Sequence, residues 1–195
     1  ELITECDAAL GEGIALLTRH ADSLRARLIE AHAAACVALL SPVRAIAASY
    51  RMTGKAIPTQ PSFFVVEVLK PLRAFLDSHG TRLPPVEQAA WAKAVAAAVT
   101  QRYFELSKTS LETVRNDEQA RLRLSIKPAA GAESVSDSHK ICVQLCLDVH
   151  AFASELEAVG VSAKELPEYA QLQEAVRPDE GVVGSLGGQK EVAVS

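Results

Sequence analysis

Leu10, Ile14, Leu17, Ala21, Leu24, Leu28, Ala31, Ala35 and Ala38 follow one another in a strict alternation of four- and three-residue steps. A seam with that period belongs to a helix that lays one apolar edge along a neighbouring helix, so the first forty residues or so are predicted to form one long coiled-coil-like helix. Ser41-Pro42 should stop it near Leu40, because proline has no backbone donor and turns the preceding residue away from helical angles. A kinked continuation to Ser49 is the other geometry open to the chain.

The rest of the chain also reads as helix. Hydrophobic residues make up 49% of it but aromatics only 5%, so its apolar content is mostly Ala, Leu and Val, and Ala and Leu are strong helix formers. A chain of 195 residues can bury one core and a small helical subdomain besides. Its net charge of −4 argues against a nucleic-acid surface, which would carry a basic face. Cys6, Cys36, Cys142 and Cys146 are scattered without a framework of spaced pairs, which suits a reducing, cytosolic setting. The first residue is Glu1 rather than Met, which reads as a fragment of a longer protein. The most apolar run, residues 31–48, is interrupted by His32, Ser41, Pro42 and Arg44, and no membrane span is expected from it.

Gly54, Pro58 and Pro61 break periodicity in "SYRMTGKAIPTQPS", residues 49–62. A linker required only to be flexible would be Gly/Ser-rich; two angle-restricting prolines together with apolar Met52 and Ile57 suit an ordered strap. Ser62 then offers an N-cap for a helix over residues 63–80, kinked near Pro71. Its β-branched start could pass for a strand, but no partner strand pattern exists. Residues 86–126 contain neither Gly nor Pro and should form the longest helix, with a broad apolar arc that touches several neighbours. Arg121, Arg123 and Lys127 suit its negative end, and Pro128 stops it. Asp137 or Ser138 should cap the next helix and Gly160 should end it. "SAKE", residues 162–165, has the form of a capping box for a last helix running to about Val176. The chain thus divides into a leading helix (1–48), an ordered connector (49–62), a helical bundle (63–176) and a Gly-rich tail (177–195) expected to be flexible. The fold class is all-α: an elongated helical bundle.

"KICVQLCLDVHAF", residues 140–152, raises the question of a metal or redox site. Cys142 and His150 lie about 12 Å apart along a helix axis, too far for one zinc ion to reach both. No second Cys/His pair stands ready to complete a site with Cys142 and Cys146, and a redox motif needs the spacing C-x-x-C. The thiols instead extend the buried arc of Ile141, Leu145, Val149, Phe152, Leu156 and Val159, with His150 at its polar edge and Asp148 outside it. "TGK" at residues 53–55 lacks the glycine, the strand and the Ser/Thr of a phosphate loop. Gly181, Gly184, Gly187 and Gly188 have no βαβ context. His20, His32, His79 and His139 have no acidic or nucleophilic neighbours at a catalytic spacing. No catalytic, cofactor-binding or metal residue is expected. Arg44, Arg51, Lys55, Lys70 and Arg73 are basic against an acidic whole and gather around the connector, making a candidate protein-interaction surface or, more plainly, solvated helix ends.

Three pieces carry a resemblance: Tyr-Arg-x-Thr-x-Lys-x-x-Pro-Thr (Tyr50 to Thr59), Leu-Lys-Pro-Leu (Leu69 to Leu72) and Gln-Leu-x-Leu-Asp-Val (Gln144 to Val149). From about Leu40 to Arg177 the chain resembles the C-terminal domain of subunit 2 of the conserved oligomeric Golgi complex. That resemblance implies a rod-like helical architecture of the tethering-complex type. It also implies a non-catalytic role on the cytosolic face of Golgi membranes, capturing retrograde vesicles and so keeping glycosylation enzymes in their cisternae. Implied partners are the other tether subunits, SNARE proteins, Rab GTPases and coiled-coil tethers. Read without the resemblance, the chain leaves open a helical enzyme or small-ligand binder, and a peripheral lipid contact through the basic connector.

Overall fold

A computed structural model describes residues 2–51, 55–123 and 136–178, and among these there is no β-strand. Six α-helices follow in order: α1 (Leu2–Ala38), α2 (Val43–Tyr50), α3 (Lys70–His79), α4 (Pro85–Arg123), α5 (Asp137–Ala158) and α6 (Pro167–Ala175), with 3-10 turns at Phe63–Glu67, Gly80–Arg82 and Ala163–Glu165. The all-α helical bundle expected from composition is the fold.

The 39 residues of α4 form the axis of the bundle, and α1, α2, α3, α5 and α6 all pack against it. Its broad apolar arc is the reason. Ala92, Val95, Ala96, Val99, Tyr103, Leu106, Leu111 and Val114 are buried, covering more of the circumference than a single neighbour could occupy. Across from it α5 contributes Ile141, Leu145, Val149, Phe152 and Leu156 to the same core. Phe152 meets Tyr103 edge-on, with ring centroids 5.5 Å apart, an arrangement favoured by the aromatic quadrupole.

Proline chemistry governs the joints. Near Pro42 the end of α1 tightens into three-residue hydrogen bonds, Leu39 N–H to Cys36 C=O and Leu40 N–H to Val37 C=O, each 3.0 Å. The chain then turns and resumes as α2, so the kinked continuation is the geometry adopted. Pro71 does not kink a longer helix as expected. It sits in the first turn of α3, where its missing donor costs nothing, and residues 63–67 before it form a separate 3-10 turn. Similarly, "SAKE" is no capping box. Ser162 makes no side-chain cap, because Pro167 holds Leu166 extended at φ −104°, ψ 108° and the helix can start only at the proline itself. Ser62, too, makes no side-chain cap.

The cap of α5 is Ser136, whose hydroxyl accepts the His139 N–H, one residue ahead of the Asp137 or Ser138 expected. Gly160 ends α5 at φ +76°. The Val161 N–H reaches Leu156 C=O and the Gly160 N–H reaches Glu157 C=O, both at 3.0 Å, which is the paired closure of a Schellman end. The expectation for residues 124–126 of the long helix, the loop after it, and the tail beyond Pro178 lie outside the described residues.

One further expectation needs correcting. By length and composition the helical run Thr4–Tyr50 does reach the hydropathy of a membrane-crossing segment, 1.5 on average in its most apolar window; His32, Ser41, Pro42 and Arg44 do not lower it enough. In the fold the same run supplies Cys36, Leu40, Val43 and Ile46 to the core.

Candidate protein-interaction site

The strap at residues 55–62 is clasped onto α5 by two polar side chains one helical turn apart. Gln144 Nε2 donates to Gln60 C=O at 3.0 Å and to Asp148 Oδ1 at 2.9 Å, while its Oε1 accepts the Tyr50 hydroxyl at 2.8 Å. Asp148 Oδ1 also accepts the backbone N–H of Ser62, the group an N-cap at that position would otherwise leave to solvent. Asp148, although outside the apolar arc of α5, is completely buried because the strap lies over it. Burial pushes its carboxyl above the usual carboxylate range, against the opposing pull of hydrogen bonds from Ser62 and Gln144. Burial, and after it the Asp148 charge, raises the Tyr50 and Tyr103 hydroxyls, Tyr103 strongly. Sequence reasoning ranked none of these side chains as site residues. The available signal was that Tyr50, Gln144 and Asp148 all fall in the pieces that carried the resemblance.

The five basic residues singled out around the connector do not converge on a common point. Arg51 pairs with Asp117 of α4 at 2.8 Å, Lys70 with Glu67 at 2.6 Å and Arg73 with Glu155 of α5 at 2.7 Å. Lys55 sits over the Tyr50 ring, 5.8 Å from its centroid. Arg44 lines a shallow groove between α2 and α4, with Arg102, Glu105 and Thr109. Four of the five therefore have a local partner: Arg51 ties the start of the connector to α4, and Arg73 ties α3 to α5.

In the "KICVQLCLDVHAF" stretch, Cys142 is buried with its thiol 3.2 Å from Val176 C=O, and Cys146 is half-buried with Sγ 3.6 Å from His150 Nδ1. Among the described residues no three His, Cys, Asp or Glu side chains are grouped to hold a metal. Between α4 and α6 runs an open apolar groove of about 630 Å³ lined by Phe104, Leu111, Ala170 and Ala175. Its flanking charges Lys108 and Glu112 lie 4.0 Å from each other.

Among the described residues an unpartnered surface lies on α1, which carries two apolar stripes roughly 130° apart at about 100° per residue. Ile29, Ala33, Cys36 and Leu40, continued by Val43, also step by four and three; they face the bundle, Ile29 half-buried and the others buried. This is the stripe that packs. The seam from Leu10 to Ala38, alternately one and two residues out of step with it, faces away. Leu10 and Ile14 are 65% exposed, Leu17 70% and Leu24 60%. Every residue from 4 to 24 is exposed, because before Ile29 the inward stripe shrinks to Ala26 and then turns charged at Asp22 and Arg19. The last anchor on that side is Arg25, 3.2 Å from Glu87 of α4 and 2.9 Å from Asp22.

The described residues form an all-α helical bundle whose polar side chains clasp its own strap and, among those residues, the seam of α1 is left uncovered. Comparison with known proteins makes that more specific. The family described as "COG complex component, COG2, C-terminal" matches residues 1–149, and the chain belongs to that family. It is 30% identical to the conserved oligomeric Golgi complex subunit 2 of Arabidopsis thaliana over 149 residues, 71% of this chain and 20% of the relative. With the human subunit 2 it shares 27% identity over 176 residues, 87% of this chain and 24% of the relative. With that of Drosophila melanogaster it shares 30% over 135 residues, 65% of this chain and 19% of the relative. The chain thus spans a quarter or less of the relatives it matches. No solved structure matches it.

Proposed function

We propose that this chain is a non-catalytic scaffold and assembly domain of a Golgi vesicle-tethering complex. It acts on the cytosolic face of Golgi membranes in retrograde transport between cisternae, and so in retaining glycosylation enzymes. The observation that carries the reading is the uncovered seam of α1. Four large aliphatic side chains at heptad spacing stand in water, each forgoing roughly 1.5–3 kcal/mol of burial, which is the signature of a surface completed by another protein. The names of the relatives supply the setting: other subunits of the same complex are the first partners to expect, with SNARE proteins, Rab GTPases and coiled-coil tethers as more distant ones.

The domain division follows the same logic. The C-terminal half of α1, α2, the strap from residue 55 and the described residues between 63 and 176 form one structural unit, and the N-terminal half of α1 is its connecting arm. Arg44, the one residue of the basic set left without a local partner, is a secondary contact of that unit.

Co-purification from cell extract tests the reading. The tagged chain should bring down other tether subunits, and Leu17→Glu with Leu24→Glu, which alters only exposed positions, should lose them while circular dichroism stays unchanged. A variant that retains every partner would overturn the assignment of assembly to this seam.

A further inference from the structure

The rims of the α1 seam select among possible occupants. His20 and Arg27 each precede a seam residue and line one rim; Arg25 follows Leu24 on the other, where Asp22 and Glu87 already pair with it. Arg27 has no ion-pair partner among the described residues. Between Leu10 and Ala38 the rim positions hold no acidic residue; Glu12, Asp22 and Glu30 fall on the opposite side of the helix.

A second copy of α1 fits this pattern poorly. In a parallel pair the facing rim positions would be His20 with Arg25 and Arg27 with His32; in an antiparallel pair each rim would meet its own kind. Neither arrangement forms an opposite-charge contact, and rim charges set partner choice in coiled coils. The heptad spacing itself argues for a helix, because a stripe of period 3.5 stays in contact only with another helix that supercoils around it.

We propose that the α1 seam docks an amphipathic helix of another protein whose own apolar stripe is flanked by acidic residues, forming a heterotypic coiled coil. This rests on the assembly reading above and adds to it the chemistry of the partner.

The test uses the whole chain and two synthetic four-heptad peptides with the same Leu/Ile seam, one carrying Glu at every rim position and the other Lys, their binding followed by fluorescence anisotropy at low salt. The Glu peptide should bind about tenfold more tightly than the Lys peptide, since each exposed ion pair contributes a few-fold, and the difference should shrink in 1 M salt, where screening reaches about 3 Å. His20→Glu with Arg27→Glu should reverse the preference, and Leu17→Glu with Leu24→Glu should abolish binding of both peptides. Equal affinity for the two peptides, or preference for Lys, overturns the acidic partner while leaving the assembly reading intact if the leucine variant still loses its cellular partners. Binding of neither peptide by a chain whose leucine variant keeps those partners overturns both. Dimerisation of the chain in sedimentation, abolished by the leucine variant, would make the occupant a second copy. Flotation with phosphatidylcholine/phosphatidylserine vesicles, lost in the same variant, would make it a membrane surface. Either of these also overturns the proposal.

Discussion

The Tyr50 hydroxyl donates to Gln144 Oε1 across 2.8 Å and 94 residues of chain, joining the end of α2 to the middle of α5 just where the strap crosses between them. Gln144 also holds Gln60 C=O, so its one amide ties together both ends of the strap. Tyr50→Phe should cost about 1 kcal/mol, since it leaves Oε1 of a buried Gln144 without that donor. Gln144→Leu should cost more, because it removes three hydrogen bonds at once. A double-mutant cycle by urea unfolding checks the coupling: the two losses should fail to add.

Strap order is the next consequence. Ser62 should exchange its amide hydrogen slowly in the native protein, because that N–H is donated to a fully buried carboxylate. Pro58→Gly with Pro61→Gly raises the conformational freedom the clasp must overcome and should speed exchange at Ser62. Native exchange at Ser62 as fast as in a short unstructured peptide would remove the strap's role in fixing α2 against α5.

Asp148 predicts a pH dependence with a definite sign. Its carboxyl is raised in the folded chain, mainly by burial, so the folded state holds the proton more tightly than the unfolded one. Its contribution to stability is fully present below the ordinary carboxylate value, declines as pH rises towards the raised value, and is flat above it. Asp148→Asn removes this dependence while keeping an oxygen for Ser62 and Gln144. Relative to this variant, the wild-type chain should lose stability as pH rises from about 4 to neutral, measured by urea unfolding at a series of pH values. Asp148→Ala should be destabilised by about 1–3 kcal/mol throughout, leaving the Ser62 N–H unsatisfied.

Gly160 stands in the left-handed region at φ +76° with no atom near the place a Cβ would occupy. The cost of Gly160→Ala is therefore backbone strain alone, about 1 kcal/mol, and a fall in Tm of a few degrees checks it. Gly11 and Gly13 give the opposite expectation. They lie in the interior of α1 with equally open surroundings, and each alanine replacement should stabilise that arm by about 1 kcal/mol, seen as slower hydrogen exchange over residues 4–24.

The cysteines should report the packing. Cys6 is exposed, whereas Cys36 and Cys142 are buried, and burial raises the Cys36 and Cys146 thiols, leaving less reactive thiolate. A thiol reagent should label Cys6 at once, Cys146 slowly, and Cys36 and Cys142 only on unfolding. Cys142→Ala should cost about 1 kcal/mol through lost packing with no change in metal content by mass spectrometry.

Helix type, the long axial helix, the stop at Gly160 and the seam of α1 were legible in the sequence because each is a local property: a period, a proline, a glycine, a run without either. The residues of the clasp were legible only as parts of a resemblance. Asp148 lies off the apolar arc of its own helix, and nothing within a turn of it reveals that Ser62, 86 residues earlier, will cover it. The basic set around the connector looked like one patch because charge can be counted along a chain. Only the fold brought Asp117 and Glu155 to Arg51 and Arg73. The same division governs α1. Two apolar stripes with the same four-three spacing are written into it, and spacing cannot rank them. Tertiary packing ranked them, turning Ile29, Ala33, Cys36 and Leu40 onto the bundle and leaving Leu10 to Ala38 facing outward, because a helix can press only one side against a core while the other side waits for a surface of its own.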